Sequence, residues 1–334
     1  MRGLGRQRRA HLVLDRPHTL HVGQDADTEV VGHQNGECHG TARYGTLAAM
    51  REHEVFSADG TRIRVWRTDT DGPDVLLSPG LGAVPTAWPA LPAARVLGWY
   101  HRGTLGSARP DDPARITVDD HVADAIAALD DAGVERCPVM GWSMGVTIAA
   151  ELALRHPDRV SGLMLVAGAA GDPFASVLGV PGVPEDVRRL LGVSSATALR
   201  LAGPLLDAVL HRLPVPDLPS PLVGTLRQFL KHDWRWYFTL ALALGRTPRL
   251  DLTGVTCPTT VLTGRYDWLA SADSLLGPVA GLPQARVRVL RNTHFLPLEN
   301  PDVVVAELGL LLDRVAGVED ALQDLLTSRS RPRA

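Results

Sequence analysis

From residue 50 onward the chain alternates between short apolar runs and stretches whose apolar residues return every three to four positions. Two alternating runs, 52–56 and 62–66, flank Ala58-Asp59-Gly60, where an Asp-Gly pair supplies the backbone angles of a tight hairpin. Continuous apolar runs at 75–78, 96–100, 137–142 and 160–166 read as strands buried on both faces. Between the second and third of these, Thr117 is placed to cap a helix that carries Asp119 and Asp120 in its first turn and lines Val122, Ile126 and Leu129 on one face. Thr147, Ile148, Ala149, Ala150, Leu152 and Ala153 predict another helix directly after Trp142. Buried strands alternating with amphipathic helices imply an α/β fold, a mostly parallel sheet with helices on both faces.

The alternation breaks at 171–249. No strand-like run occurs there, only helical pieces at 187–191, 196–201, 205–210 and 226–244, punctuated by Pro181, Pro184, Pro204, Pro214, Pro216, Pro219 and Pro221. An insertion of that length predicts a small helical subdomain rather than a loop. The pattern then resumes with a strand at 259–263, a helix near 274–280, a strand at 286–290 and a last helix over 302–315. The expected organisation is a core of 50–170 and 250–316, a helical cap of 171–249, and a flexible tail of 317–334. Residues 1–49, rich in Arg, His, Gly and Asp, carry too little apolar periodicity to offset the entropy of ordering and are expected to be disordered, with Met50 a candidate true start. His33, Cys38 and His39 lack the second half of a metal-binding pattern, so no metal site is expected.

Composition narrows the function. A net charge of -3 argues against nucleic acid as a partner, which would call for a basic face. Three cysteines at unrelated spacings make no disulfide framework and point to a reducing compartment. With no signal-peptide-like start and no apolar run of membrane-spanning length, the expectation is a cytoplasmic protein with no membrane partner. The oligomeric state is left open.

The candidate chemistry lies at Gly141-Trp142-Ser143-Met144-Gly145, between a strand and a helix. A serine held on a strained strand-to-helix turn is exposed to a base and a substrate, and small residues two before and two after let strand and helix approach closely. In an open parallel sheet, functional groups gather at the carboxyl ends of strands. Of twelve histidines only His294 directly follows a late strand, which makes it the candidate base. His121 and His156 fall on helices, and His211 and His232 in the insertion, where packing is the expected role. Two aspartates follow strands, Asp267 and Asp172. Asp267 is the preferred orienting acid because it gives the chain order Ser, Asp, His; Asp172 is expected to cap the first helix of the insertion. Oxyanion donors are expected from the N–H of Met144, at the start of a helix, and from the Pro79-Gly80-Leu81-Gly82 turn, with Leu81 ahead of Gly82. Trp142 in the elbow and Trp234, Trp236 and Tyr237 in the insertion are candidate substrate contacts, while Leu205, Val209, Leu230 and Phe238 add apolar surface to the cap.

Taken together, the Ser-Pro-Gly turn, the loop Arg102-Gly103-Thr104-Leu105-Gly106-Ser107, the elbow at Ser143, Cys257-Pro258 ahead of Gly264 to Asp267, and His294 followed by Glu299-Asn300-Pro301 resemble the α/β-hydrolase superfamily over about 51–315. The resemblance implies an eight-stranded sheet with its second strand antiparallel, a helical cap over the site, a small-molecule substrate, and no cofactor or metal. One departure is Pro79, where the family usually has histidine. Serine at the elbow disfavours the dehalogenase and epoxide hydrolase chemistries, which need a carboxylate nucleophile. Expected instead is hydrolysis of a small or medium, largely apolar ester, thioester or lactone through an acyl-enzyme. Alternatives are a carbon-carbon bond hydrolase using Arg235 or Arg249, a haloperoxidase, an acyltransferase, or a small-ligand binding protein.

Overall fold

The computed structural model describes residues 50–177, 183–216 and 221–329. The expectations for 1–49, including His33, Cys38 and His39, fall outside these residues. The alternating runs form β1 (Met50–Phe56) and β2 (Arg62–Thr68), paired antiparallel with Phe56 opposite Arg62 and Gly60 at a positive φ in the connection. The other strands are β3 (Asp74–Ser78), β4 (Arg95–Trp99), β5 (Cys137–Trp142), β6 (Val160–Val166), β7 (Thr259–Gly264) and β8 (Ala285–Leu290). They make one eight-stranded sheet in the order β1-β2-β4-β3-β5-β6-β7-β8, with β2 antiparallel to both neighbours and every pair from β4 onward parallel.

Helices cover both faces of this sheet. On one side α1 (Val118–Asp131), α2 (Met144–Arg155) and α8 (Asp273–Val279) bury Val122, Leu129, Ile148, Leu152 and Leu275 against β-strand residues such as Leu76, Val139 and Leu163. On the other, after the short α9 (Leu296–Glu299), α10 (Pro301–Arg329) buries Val304, Leu308, Leu311 and Val315 beside Trp66, Trp88 and Met164. Thr117 closes a capping box with Asp120, as its position predicts. The last helix does not end near Val315: its backbone continues to Arg329 although Val318, Leu322 and Leu326 are exposed. Residues 317–329, expected as a flexible tail, are therefore helical.

The insertion between β6 and β7 is helical: α3 (Pro173–Ser176), α4 (Glu185–Leu201), α5 (Gly203–Leu210), α6 (Pro221–Phe229) and α7 (Trp234–Leu244). The pieces expected at 187–191 and 196–201 form one helix, whose buried side carries the small residues Gly192 and Ala196, with Phe174 of α3 packing on Gly192. The stretch expected as one helix over 226–244 is two, since Asp233 turns outward to cap Trp236 N–H. The insertion leans on loops at the carboxyl ends of β3 and β4. Trp236 Nε1 donates to Arg102 O at 2.7 Å, Thr86 and Thr225 hydroxyls lie 2.8 Å apart, and the Tyr237 ring covers Gly82. Leu205 and Val209, expected to add apolar surface to the cap, are exposed with Leu190 and Leu201, at 66% and 53% exposure. Among the described residues no single helix is long and apolar enough to cross a membrane.

Candidate active site

Ser143 sits between β5 and α2 with φ 57° and ψ -122°, a conformation that a non-glycine residue holds only when its surroundings impose it. The surroundings do so by contact. A Cβ on Gly141 would lie 2.5 Å from Gly145 O, and one on Gly145 would lie 2.2 Å from Ser78 O. Strand, helix and the turn begun by Pro79 thus meet at glycines. Gly145→Ala is expected to destabilise the fold by about 1–3 kcal/mol, the range for overpacking, visible as a lower urea midpoint; an unchanged midpoint would show that the turn moves aside freely.

His294, at the loop after β8, reaches the serine: its Nε2 is 2.7 Å from Ser143 Oγ, and its Nδ1 is 2.9 Å from Asp267 Oδ2. Asp267 Oδ1 is occupied by the N–H groups of Leu269 and Ala270 at 2.9 and 2.7 Å, which leaves Oδ2 for the imidazole. The imidazole therefore carries its hydrogen on Nδ1, and Nε2 accepts from the serine hydroxyl. Asp267 and His294 are buried, whereas Ser143 is partly open. Glycine at 264 permits the juxtaposition, because a Cβ there would lie 2.5 Å from Asn292 O in the histidine loop. Glu299 clamps that loop by accepting from Thr293 N–H at 2.8 Å, from Asn292 Nδ2 at 3.1 Å and from the Thr293 hydroxyl.

Asp172 is elsewhere. It occupies the N-cap position of α3 in a left-handed conformation, but its side chain makes no cap; it pairs with Arg189, with Arg189 Nε 3.0 Å from Oδ1. That pairing holds its carboxyl below the usual range. The cap expected of Asp172 is replaced by an ion pair because α4 brings a guanidinium within reach.

The turn bearing Leu81 lies against the serine: a Cβ on Gly80 would be 3.2 Å from Ser143 Cβ. Met144 opens α2, and neither its N–H nor that of Leu81 donates to a loop, turn or cap acceptor among the described residues.

The four aromatic candidates divide. Trp142 is buried, stacks edge-on to Trp88, and donates from Nε1 to His294 O at 3.0 Å, so it braces the histidine rather than opening onto a pocket. Trp234 is buried among Phe229, Tyr237 and Phe238 inside the insertion. Trp236 fastens the insertion to the β4 loop and lies under Arg109. Tyr237 touches the Pro79–Gly82 turn at Gly82, as Trp142 does at Gly80, and burial pushes the Tyr237 hydroxyl up to about 12. Two aromatic side chains next to the polar chain, half-exposed Phe295 and Trp268, were not singled out from sequence, although each directly follows a functional candidate. Cavities of ≈ 170 Å³ around Lys231 and ≈ 550 Å³ around Arg189 and Arg246 are lined by neither Ser143 nor His294. Among the described residues no cluster of His, Cys, Asp and Glu could hold a metal ion.

The sheet order, the strained serine and its hydrogen-bonded partners coincide with a family match: the alpha/beta hydrolase fold model covers residues 75–301. The chain belongs to the α/β-hydrolase fold family. Epoxide hydrolase A of Mycobacterium tuberculosis is 27% identical over 325 residues, 79% of this chain and 97% of that protein. Epoxide hydrolase B of the same organism is 32% identical over 163 residues, spanning 46% of this α/β hydrolase and 44% of the relative. Among solved structures, the enol-lactonase of Burkholderia xenovorans LB400 aligns with TM-score 0.61 at 23% identity over 78% of this chain and 100% of that one. A thermophilic esterase of Thermogutta terrifontis aligns with TM-score 0.61, 23% identity, and coverage of 79% and 99%. Similarity at this level shows a shared fold; hydrolases of several kinds stand among the relatives.

Proposed function

We propose that the protein is a serine hydrolase that cleaves small or medium, largely apolar esters, thioesters or lactones through an acyl-enzyme. The observation that carries this reading is Ser143 Oγ at 2.7 Å from Nε2 of His294, whose Nδ1 lies 2.9 Å from Asp267 Oδ2. Nε2 takes the hydroxyl proton as Oγ bonds to the acyl carbon, and the imidazolium is stabilised by the Asp267 carboxylate. The Leu81 and Met144 N–H groups receive the oxyanion. Collapse expels the alcohol or thiol, which takes the proton from Nε2–H. Water, deprotonated by His294, then releases the acid and restores the serine.

Serine as nucleophile weighs against epoxide opening, despite the likeness to an epoxide hydrolase. Attack by Oγ on an epoxide carbon leaves an alkyl ether, which water does not hydrolyse, whereas attack on an acyl carbon leaves an ester, which it does. Carbon-carbon cleavage of an acidic ring-fission product has less support: Arg249 pairs with Glu185 at the surface and Arg235 is exposed. Cys137 and Cys257 are buried free thiols, as a reducing cytoplasm allows.

The test is a p-nitrophenyl ester series from acetate to palmitate, run beside an epoxide and a dienoate ring-fission substrate, with fluorophosphonate labelling read by peptide mass. Turnover of short or medium esters and label on the Ser143 peptide are expected. Activity confined to the epoxide or the dienoate, or an unlabelled Ser143 in folded protein, would overturn the reading.

A further inference from the structure

Proline at 79 has no side-chain donor, yet the turn it begins carries one of the two oxyanion donors and must keep its place beside Ser143. Gly80 backs onto the serine and Pro79 O faces the start of α2, where a Cβ on Gly145 would meet it at 2.7 Å. Ala83 N–H donates to Gly80 O at 3.0 Å, within the turn itself, which leaves the Pro79–Gly80 plane to be fixed from outside. Rotating the Pro79–Gly80 plane swings the Gly80–Leu81 peptide, and with it the Leu81 N–H.

The Pro79 carbonyl has a partner from β4. His101, which follows that strand and is 2% exposed, has Nε2 at 3.1 Å from Pro79 O. A carbonyl only accepts, so Nε2 carries the hydrogen and Nδ1 is left as an acceptor. That acceptor is met: His121 Nδ1, from fully buried His121 on α1, lies 3.3 Å away, with the two rings edge to face at 4.7 Å between centroids. His121 Nδ1 is also 3.5 Å from Asp124 Oδ2, and Asp124 is gripped by Arg102 through Nε at 2.9 Å and Nη2 at 2.6 Å. Burial and the neighbouring His121 hold His101 down to about 3, so it keeps a single ring hydrogen across the working range. The imidazole is thus tied at both nitrogens and cannot flip without stranding a buried polar atom.

We propose that His101 is a positioning residue for the oxyanion turn, supplying from β4 the imidazole that Pro79 cannot, and so setting the direction of the Leu81 N–H. This rests on the reading of Ser143 as the nucleophile. The consequence is specific to the transition state: substrate binding uses the walls of the site, whereas the N–H direction matters once the carbonyl oxygen becomes an oxyanion.

The experiment compares wild type, His101→Leu, His101→Gln and Ser143→Ala on p-nitrophenyl butyrate. His101→Leu is expected to lose about 10- to 100-fold in kcat, less than the 10²–10³ of deleting a donor outright, with KM nearly constant. His101→Gln, whose amide N–H can still reach Pro79 O, should recover a large part of kcat. Wild-type kcat in His101→Leu, or equal loss in both His101 variants, would overturn the positioning role. Should His101→Leu fail to fold, nitrogen-detected imidazole NMR of the wild type decides: a hydrogen on His101 Nε2 supports the proposal, and a bare Nε2 defeats it. Ser143→Ala separates the two readings. If that variant still turns over ester, the nucleophile is wrong; if it is dead while His101→Leu is unimpaired, only the positioning role fails.

Discussion

Asp267→Asn is expected to lower kcat by about 10³- to 10⁴-fold, the scale of losing a triad's orienting acid, while Asp172→Asn leaves turnover untouched. The reason is local. Leu269 and Ala270 both donate to Oδ1, so the asparagine oxygen must take that place and its NH₂ must face His294. An NH₂ cannot accept from Nδ1–H, so the imidazole shifts its hydrogen to Nε2, where it confronts the Ser143 hydroxyl instead of accepting from it. Steady-state kinetics of the two variants check this, with KM expected to move little. If Asp172→Asn is the crippled variant, the orienting acid has been misassigned.

Arg102→Met is expected to be the most destabilising single substitution behind the site, costing about 3–5 kcal/mol, because it leaves buried carboxylates without their counter-charge. The Arg102 and Asp124 side chains are both fully buried, and the guanidinium also donates to Asp59, Ser57 and Arg115 O. The pH dependence follows from Asp124. Burial alone would raise its pKa, but the neighbouring His121 and the Arg102 guanidinium bonded to it outweigh that and leave it lowered. A depressed folded-state pKa stabilises the fold above the unfolded value of about 3.9, and that contribution is lost as pH falls through the folded value. Urea unfolding at pH 7 and pH 3 should therefore find Asp124→Asn well below wild type at pH 7, with the gap narrowing at pH 3. A gap that widens in acid would mean that Asp124 is not ionised in the fold.

Local pattern carried the sheet. Apolar runs at 75–78, 96–100, 137–142 and 160–166 became β3 to β6, and β2 is antiparallel as the resemblance implied. These elements were legible because a strand buried on both faces must be apolar at every position, and a helix over it must repeat near every fourth residue. Ser143 and His294 were legible for a related reason: each follows a strand at its carboxyl end, and glycines mark where backbones touch. Helix ends in the insertion were not. One continuous α4 replaces two pieces because Gly192 and Ala196 are buried, Gly192 under Phe174 of α3, and a contact with another element leaves no local mark.

By itself, then, the sequence determined the order of strands and helices, the elbow glycines and the positions from which a serine, a histidine and an aspartate could converge, since these follow from periodicity and backbone sterics within a few residues. Only the tertiary structure decided which acid meets the imidazole, that Trp142 braces His294 instead of lining a pocket, that Leu205 and Val209 face outward, and that His101 stands behind Pro79. Each of those depends on a partner far along the chain. Asp267 and Asp172 look alike in sequence, both following strands near glycines; one is 2.9 Å from His294 and the other is claimed by Arg189, because the loop after β8 carries an imidazole to the first and α4 carries a guanidinium to the second.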